Sequence, residues 1–337
     1  MEEFQKVERK LPVNYLDADI SLFKNELIKI FPLSKIVELK YFIVHANGTL
    51  IYHKNVSIQV KEKSNFRIIS PIRLFFLSLK KLFEGKFVII NSLSVWFTDG
   101  WSSGYFHWML DALPRLLESN VEKETTILLP SHLFYLQYVL PSLNALGYHN
   151  VRCMQPTKYY LFKHLLINTH SAPTGNYNEK TVRRLREIFT KNLKDNSLNF
   201  GERIFVSRSQ AERRKIINES HLHAVLDSFG FLIVNFEDYS WNQQVSICSN
   251  AKCLVGLHGA GLSNMLFMQE NSVILELRKI GDSQNNCYFS LASALGHLYY
   301  YLQCITDTDE ILNANFTVDE QKFEQLLQRI FSSKQSM

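Results

Sequence analysis

The stretch Val255-Gly256-Leu257-His258-Gly259-Ala260-Gly261-Leu262-Ser263-Asn264 decides how the rest of the chain reads. The apolar run Cys253 to Leu257 predicts a strand. Glycines then predict a sharp turn, because a backbone without Cβ can bend tightly and approach a ligand closely. Apolar residues at Leu262, Met265 and Leu266 predict a helix beginning at Leu262. A helix opening there aims its free N–H groups and its positive dipole end over the turn. The stretch reads as a phosphate-sized anion site with His258 at its mouth. It reads equally as an ordinary turn between strand and helix, with the glycines serving packing alone. Its glycine order is not G-x-G-x-x-G and no G-K-[ST] follows, so neither the dinucleotide fingerprint nor a P-loop is matched.

Working outward, the same alternation repeats on both sides. Strands are expected at Ile204–Ser207, Phe231–Asn235, Cys253–Leu257, Val273–Leu277 and Leu298–Leu302. Helices are expected between them at Glu219–Ser228, Trp241–Ser249, Leu262–Met268 and Tyr288–Leu295. This predicts a doubly wound α/β unit of about 100 residues, with its ligand at the carboxyl ends of the strands. An amphipathic helix, Val318–Phe331, follows a loop.

Upstream the pattern is coarser. Ser21–Ile30 reads as an amphipathic helix. Tyr41–His45 and Thr49–Tyr52 flank Asn47-Gly48, a strong hairpin signal. Arg67–Phe83 is basic and apolar; it fits a loop or core-covering helix, or a segment lying on an acidic membrane surface. Phe87–Ile90 predicts a strand, and a helix from Ser103 to about Ser119 carries His107 and Asp111 on one face. Pro114 should bend that helix just beyond the pair. Strands at Thr126–Leu129, Val151–Met154 and Leu165–Asn168, with a helix Leu133–Leu146 closed by Gly147, suggest a parallel sheet. Asn178–Leu193 reads as a polar connector helix.

Composition narrows the class. The 337 residues suffice for about two domains, and 46% are apolar. A net charge of +5 is mild, and the aromatics do not interleave with a basic stripe, so no nucleic-acid partner is expected. The five cysteines include no C-x-x-C and read as reduced thiols. The start Met1-Glu2-Glu3-Phe4 has no secretory pattern, and no uninterrupted apolar run reaches about 18 residues, so a cytoplasmic protein is expected. Without a signal, Asn47-Gly48-Thr49 and Asn55-Val56-Ser57 read as chance glycosylation matches.

Three clusters can carry chemistry. Arg208 directly follows a strand, where its fork can reach a diphosphate; Arg213, Arg214 and Lys215 extend the basic run, which can equally be a solvated loop. Asn218 or Ser220 can cap the next helix. The glycine turn is the second cluster. Glu276 is the third: a carboxylate in an apolar strand needs a partner, either a ribose diol or an ion pair to Arg278 or another neighbour. Asp307-Thr308-Asp309 resembles the D-x-D of metal-using glycosyltransferases, but so short a match reads better as loop, and Asp17-Ala18-Asp19 is weaker still. The histidines have no metal-ligand spacing, so no metal site is expected.

With these residues placed, the sequence resembles glycosyltransferase family 61. The match rests on Gly104-Tyr105-Phe106-His107-Trp108-Met109-Leu110-Asp111-Ala112-Leu113-Pro114-Arg115, on Ser207-Arg208 through Arg214 to Asn218-Glu219, and on Gly256 to Asn264 with Glu276. The resemblance implies an α/β fold of the GT-B type, two Rossmann-like domains facing across a cleft. Residues 1–195 would form the acceptor side and 196–315 the nucleotide-sugar side. The segment 316–337 would cross back to the first domain. It implies inversion at the sugar carbon and no metal or other cofactor, with a nucleotide-diphosphate sugar, UDP foremost, as donor and a glycan or lipid-linked glycan as acceptor. Arg208, Arg214, His258, Gly259, Ala260, Gly261 and Asn264 would hold the donor, with Glu276 on its ribose. Asp111 would be the general base, with His107 second; the pair can also be a structural hydrogen bond on a helix face. The family's first motif often has Asn where Gly104 stands, so that side chain's polar role is absent. The lack of an anchor points to the bacterial capsular polysaccharide branch. A non-catalytic nucleotide-sugar- or glycan-binding scaffold is the alternative. A dinucleotide enzyme is disfavoured by the missing fingerprint.

Overall fold

A computed structural model describes residues 4–48, 50–52, 66–68, 80, 84–191, 201–310 and 313–332 of the chain. The chain divides into two compact units. The first is formed by Pro32–Thr174 and Lys180–Phe189. The second combines Phe4–Phe31, Gly175–Glu179 and the described residues from Thr190 onward.

In the first unit, Phe87–Trp96 runs parallel to Tyr159–Asn168. A parallel bridge from Ser94 to Thr126 leads to Ile127–Leu129, which pairs in parallel with Val151–Cys153. The expected parallel arrangement holds over this part. It is overturned at the hairpin: Ile36–His45 lies antiparallel to Tyr159–Asn168, and Leu50–Tyr52 antiparallel to Ile36–His45, so the sheet is mixed. The reason is the reversal at Asn47-Gly48, where Gly48 takes φ +88° and its amide donates to the His45 carbonyl at 2.8 Å; so short a connection returns the chain antiparallel, whereas a parallel pair needs a crossover. This unit is therefore not a simple Rossmann-like domain.

The helix carrying His107 and Asp111 is also interrupted. Tyr105–His107 and Leu113–Glu118 are α-helical, but Trp108–Ala112 widens into a π turn. Pro114 lacks an N–H, and its ring crowds the carbonyl of Leu110. The distortion consequently falls on the His107–Asp111 turn itself rather than beyond it. The Leu133–Leu146 helix is two pieces, Ser131–Phe134 and Val139–Ala145, still closed by Gly147 at φ +87°. Glu179–Lys191 is more than a connector: it buries Val182, Leu185 and Phe189. Apart from Arg67, Ile68 and Lys80, the Arg67–Phe83 stretch falls outside the described residues, as does Asn55. Among the described residues no helix is long and apolar enough to cross a membrane.

The second unit carries the cleaner alternation. Its parallel strands are β1 (Arg203–Val206), β2 (Leu232–Val234), β3 (Cys253–Leu257), β4 (Val273–Lys279) and β5 (Leu298–Thr306). Their order is β2-β1-β3-β4-β5, with Phe316–Thr317 antiparallel at the β5 edge. In a doubly wound sheet the chain reverses direction of winding between β1 and β3, and loops there diverge into a crevice. The helices Glu219–Ser228, Trp241–Asn250 and Cys287–Leu295 match expectation closely. After β3, however, the chain enters a tight 3₁₀ segment, Ala260–Phe267, two residues early.

The chain ends are placed differently from expectation. The last helix, Glu320–Ser332, belongs to the second unit. It buries Phe323, Leu326, Leu327 and Ile330 in one core with Phe205, Leu222, Val255 and Leu275 of its own unit. The N-terminal segment joins the second unit too, shifting the expected boundary of 1–195. Ser21–Ile30 is not one helix: short turns Asp17–Glu26 lead into a strand, Ile28–Pro32, paired with Phe4–Glu8. Ile28, Ile30 and Phe31, β-branched or aromatic, suit a strand better than a helix. Phe23 packs at 5.0 Å from both Phe289 and Tyr301, and the Val13 amide donates to the Tyr299 carbonyl at 2.9 Å.

Candidate active site

Two groups of side chains stand out, one in each unit. In the second unit the site is built at the crevice between β1 and β3. Arg208 follows β1, and the glycine turn follows β3. Arg208 is held by carbonyls: Nε donates to Arg214 at 2.7 Å and Nη2 to Arg213 at 2.8 Å. Its guanidinium lies so close to the turn that a Cβ built on Gly259 would be 2.7 Å from Nη1. Likewise a Cβ on Gly261 would be 2.8 Å from Cγ1 of Val206 in β1. A Cβ at Gly261 would press on buried Val206 and one at Gly259 would displace the tip of Arg208, so both glycines serve close approach rather than backbone conformation: Gly259 is extended at φ 175°. Arg214, at φ +57°, adopts the left-handed region that few non-glycine residues occupy, and its Nη1 reaches the His258 carbonyl at 3.4 Å.

Glu219 braces this arrangement from the next helix. It accepts from the Ser207 hydroxyl and, at 3.1 Å, from the Arg208 amide. Asn218 precedes that helix but caps nothing with its side chain; it exchanges two hydrogen bonds with Val318, at 2.8 and 3.0 Å.

His258 is the third cationic group. Its Nδ1 lies 2.5 Å from Oε1 of Glu276, and Tyr299 donates to Oε2 at 2.6 Å. Glu276 is fully buried, so the ribose acceptor expected from its position is not presented; both oxygens serve the protein. Burial alone would lower the His258 pKa. The charge and hydrogen bond of Glu276, with a contact from Cys287, outweigh it and raise the value to about 10. Burial likewise opposes ionisation of Glu276, but His258, Arg278 and Tyr299 hold it below the usual carboxylate range. Each partner thus favours the ionised form of the other. Ala260 and Gly261 remain partly exposed along the turn. Asn264 faces inward instead, fully buried and bonded to Gln244 at 3.1 Å.

In the first unit, His107 Nδ1 lies 2.7 Å from Asp111 Oδ2, and Thr174 donates to the same oxygen at 3.3 Å. The side chain of Asp111 is 4% exposed and that of His107 is 26% exposed. The imidazole thus faces outward and the carboxylate stands behind it. Trp101, itself exposed, lies 5.6 Å from the His107 ring. One turn on, buried Arg115 donates to the Asn168 carbonyl at 3.0 Å and lies 3.5 Å from Asp99. Burial of Asp99 is outweighed by His170, the Trp101 amide and Arg115, which hold its pKa to about 2.

The residues that sequence reasoning left without a role are Thr174, Asp99 and Tyr299; Glu219 entered only within the family motif, and Arg278 only as an ion-pair partner for Glu276. Arg278 carried a signal: a second charge in an apolar strand, two positions from Glu276 and so on its face. Asp307 and Asp309 have separate partners. Asp307 accepts from Asn315 at 2.8 and 2.9 Å, and Asp309 binds Lys279 at 3.0 Å. Among the described residues no cluster of three or more His, Cys, Asp or Glu has metal-binding geometry.

A parallel sheet wound 2-1-3-4-5, with arginine gripping a glycine turn at its switch point, defines the class: a doubly wound α/β protein whose ligand crevice opens at β1 and β3. Within that class, the chain belongs to the glycosyltransferase 61 family, whose sequence model matches residues 105–275. It is similar to EGF domain-specific O-linked N-acetylglucosamine transferases. The Bos taurus protein is 31% identical over 102 residues, 29% of this chain and 19% of that protein. The Drosophila melanogaster protein is 35% identical over 98 residues, 28% of this chain and 18% of that protein. The Rattus norvegicus protein is 30% identical over 151 residues, 42% of this chain and 27% of that protein. The chain therefore spans under a third of the length of these relatives.

Proposed function

We propose that this protein is an inverting glycosyltransferase of the GT-B type, moving a sugar from a nucleotide-diphosphate donor, UDP foremost, to a hydroxyl of a glycan or lipid-linked glycan. The reading rests above all on Arg208 lying against Gly259 at the switch point. With Arg214 and His258 it places three cationic side chains around one turn. Forked and point donors fixed in advance suit a diphosphate, and they offset the charge that develops on it as it leaves. In D-x-D enzymes a divalent metal does this work; here side chains would do it, so the reaction is proposed to need no metal. Glu276 is assigned to His258 rather than to the ribose, and Asn264 to supporting the turn from behind.

On the acceptor side, His107 takes the proton and Asp111 orients it. The acceptor oxygen attacks the anomeric carbon as its proton passes to His107. The bond from that carbon to the diphosphate oxygen breaks, and its electron pair leaves with the diphosphate. A single displacement of this kind inverts the carbon. The setting we propose is cytoplasmic synthesis of a capsular or surface polysaccharide.

The test is thermal shift with UDP, GDP, CMP and NAD, each with and without EDTA. One nucleotide should stabilise the protein, unchanged by EDTA; a ligand at a hundredfold its Kd adds about 2.7 kcal/mol. Stabilisation by NAD alone would overturn the proposal. Binding without hydrolysis or transfer of any matching donor sugar would favour a non-catalytic scaffold.

A further inference from the structure

Behind His258 lies a buried chain of charge that the donor-binding reading leaves without a role. Glu276 Oε1 takes His258 Nδ1 at 2.5 Å. Tyr299 donates its hydroxyl to Oε2 at 2.6 Å, and Arg278 Nη1 lies 3.3 Å from the same hydroxyl. Arg278 also donates to Asn286 Oδ1 at 3.0 Å, and Asn286 donates to the Leu22 carbonyl at 2.8 Å. Arg278, Glu276 and Tyr299 are all nearly or fully buried. Among the described residues no carboxylate pairs directly with Arg278, and its Nε is buried with no hydrogen-bond partner. The series Arg278, Tyr299, Glu276, His258 thus holds two cations and one carboxylate, and Asp282 stands at its far end, where its carbonyl accepts from Arg278 Nη2 at 2.5 Å and its carboxylate acts on the guanidinium.

In such a place the proton shared by His258 and Glu276 has a choice. A neutral imidazole beside a neutral acid avoids charge separation in a dry site. Charge stays separated only where donors stabilise the carboxylate. Tyr299 supplies one hydrogen bond to it, and Arg278 stands behind that bond as a cation. Hydrogen bonding to the charged form favours that form.

We propose that Tyr299 and Arg278 are positioning residues that keep the proton on His258, so that the imidazolium at the glycine turn is permanently charged and the crevice carries a net positive charge before any anion arrives. The proposal rests on His258 facing the anion in the donor site, and it extends that reading to the charge of the empty site. Other groups also face His258. Cys287 and Tyr288 do so from the helix Cys287–Leu295, with the Tyr288 ring 4.9 Å away, and Arg214 reaches the His258 carbonyl. These are unchanged when the Tyr299 hydroxyl is removed, so that variant isolates the chain. The N-terminal segment shares in this support: the Phe23 ring lies 5.1 Å from the Arg278 guanidinium and also packs on Tyr299.

The experiment follows His258 by NMR of its ring carbons and nitrogens across pH 6 to 9, assigned with His258→Gln. Wild type, Tyr299→Phe and Arg278→Gln are compared, and inorganic pyrophosphate is the anion probe. Wild-type His258 should stay cationic throughout. In Tyr299→Phe, which keeps the ring, the midpoint should drop toward the free-imidazole value of about 6.5. Pyrophosphate affinity of that variant at pH 8.5 should then fall at least about tenfold against wild type, while at pH 6 the two stay close. A midpoint unmoved in Tyr299→Phe overturns the proposal, as does a wild-type His258 that is neutral at pH 7, which needs no variant. Should wild type bind no pyrophosphate while the midpoint still moves, the donor site is misplaced and the role of Tyr299 and Arg278 stands.

Discussion

A methyl group at Gly259 would sit 2.7 Å from Nη1 of Arg208. The extended backbone there accepts any residue, so Gly259→Ala acts on the arginine and not on the turn. Nucleotide affinity should fall about tenfold or more by calorimetric titration, the worth of one charge-assisted contact, with Tm close to wild type. Gly261→Ala makes the contrast, because its methyl meets Cγ1 of Val206, whose side chain is buried. That change should cost about 1–3 kcal/mol of stability by overpacking. Equal loss of stability in both variants would mean that Arg208 does not line the turn in solution. The acceptor side is decided the same way. His107→Ala and Asp111→Asn should each lower kcat by roughly 10²–10⁴, and the double variant should lose little more than the worse single one. Full turnover in His107→Ala would remove it as the base.

Elements were legible where a local pattern determines them. The strand Cys253–Leu257 and the helix Glu219–Ser228 fall where periodicity puts them. The asparagine–glycine hairpin also forms as expected. What was not legible depends on partners distant in sequence. Nothing local says that Ile36–His45 pairs with Tyr159–Asn168, or that the carboxylate of Glu276 turns to His258 rather than to solvent. The last helix shows the same limit. Its apolar stripe announces that it buries a face, but the stripe cannot name the surface that receives it. In the structure Phe323 is fully buried in the second unit's core. Phe323→Ala should therefore destabilise the chain by about 3–5 kcal/mol in denaturant unfolding, through the cavity left beneath the sheet. An effect below about 1 kcal/mol would show that this helix is not seated there.

Across the whole molecule, the buried pair of His258 and Glu276 ties stability to pH. The His258 value is raised from 6.5 to about 10 on folding. A value raised in the folded state adds stability that is complete below the unfolded value and is lost as pH climbs toward the folded one. Glu276 is lowered from 4.5, so its contribution is present above that value and is lost as pH falls. The pair therefore stabilises most between about 4.5 and 6.5, and Tm should decline steadily from pH 6.5 to pH 8.5. Tyrosines and cysteines raised by burial, such as Tyr299 and Cys248, add their own losses only nearer pH 9 and above, where the unfolded forms ionise. Glu276→Gln gives the decisive comparison. Without the carboxylate, burial is the dominant influence on His258 and pushes its value down rather than up. A depressed value reverses the sign, because the unfolded chain then binds more protons and stability rises with pH. Scanning calorimetry at half-unit steps should show a falling Tm in wild type and a flat or rising one in Glu276→Gln. Parallel slopes in the two proteins would mean that His258 is not held charged by Glu276.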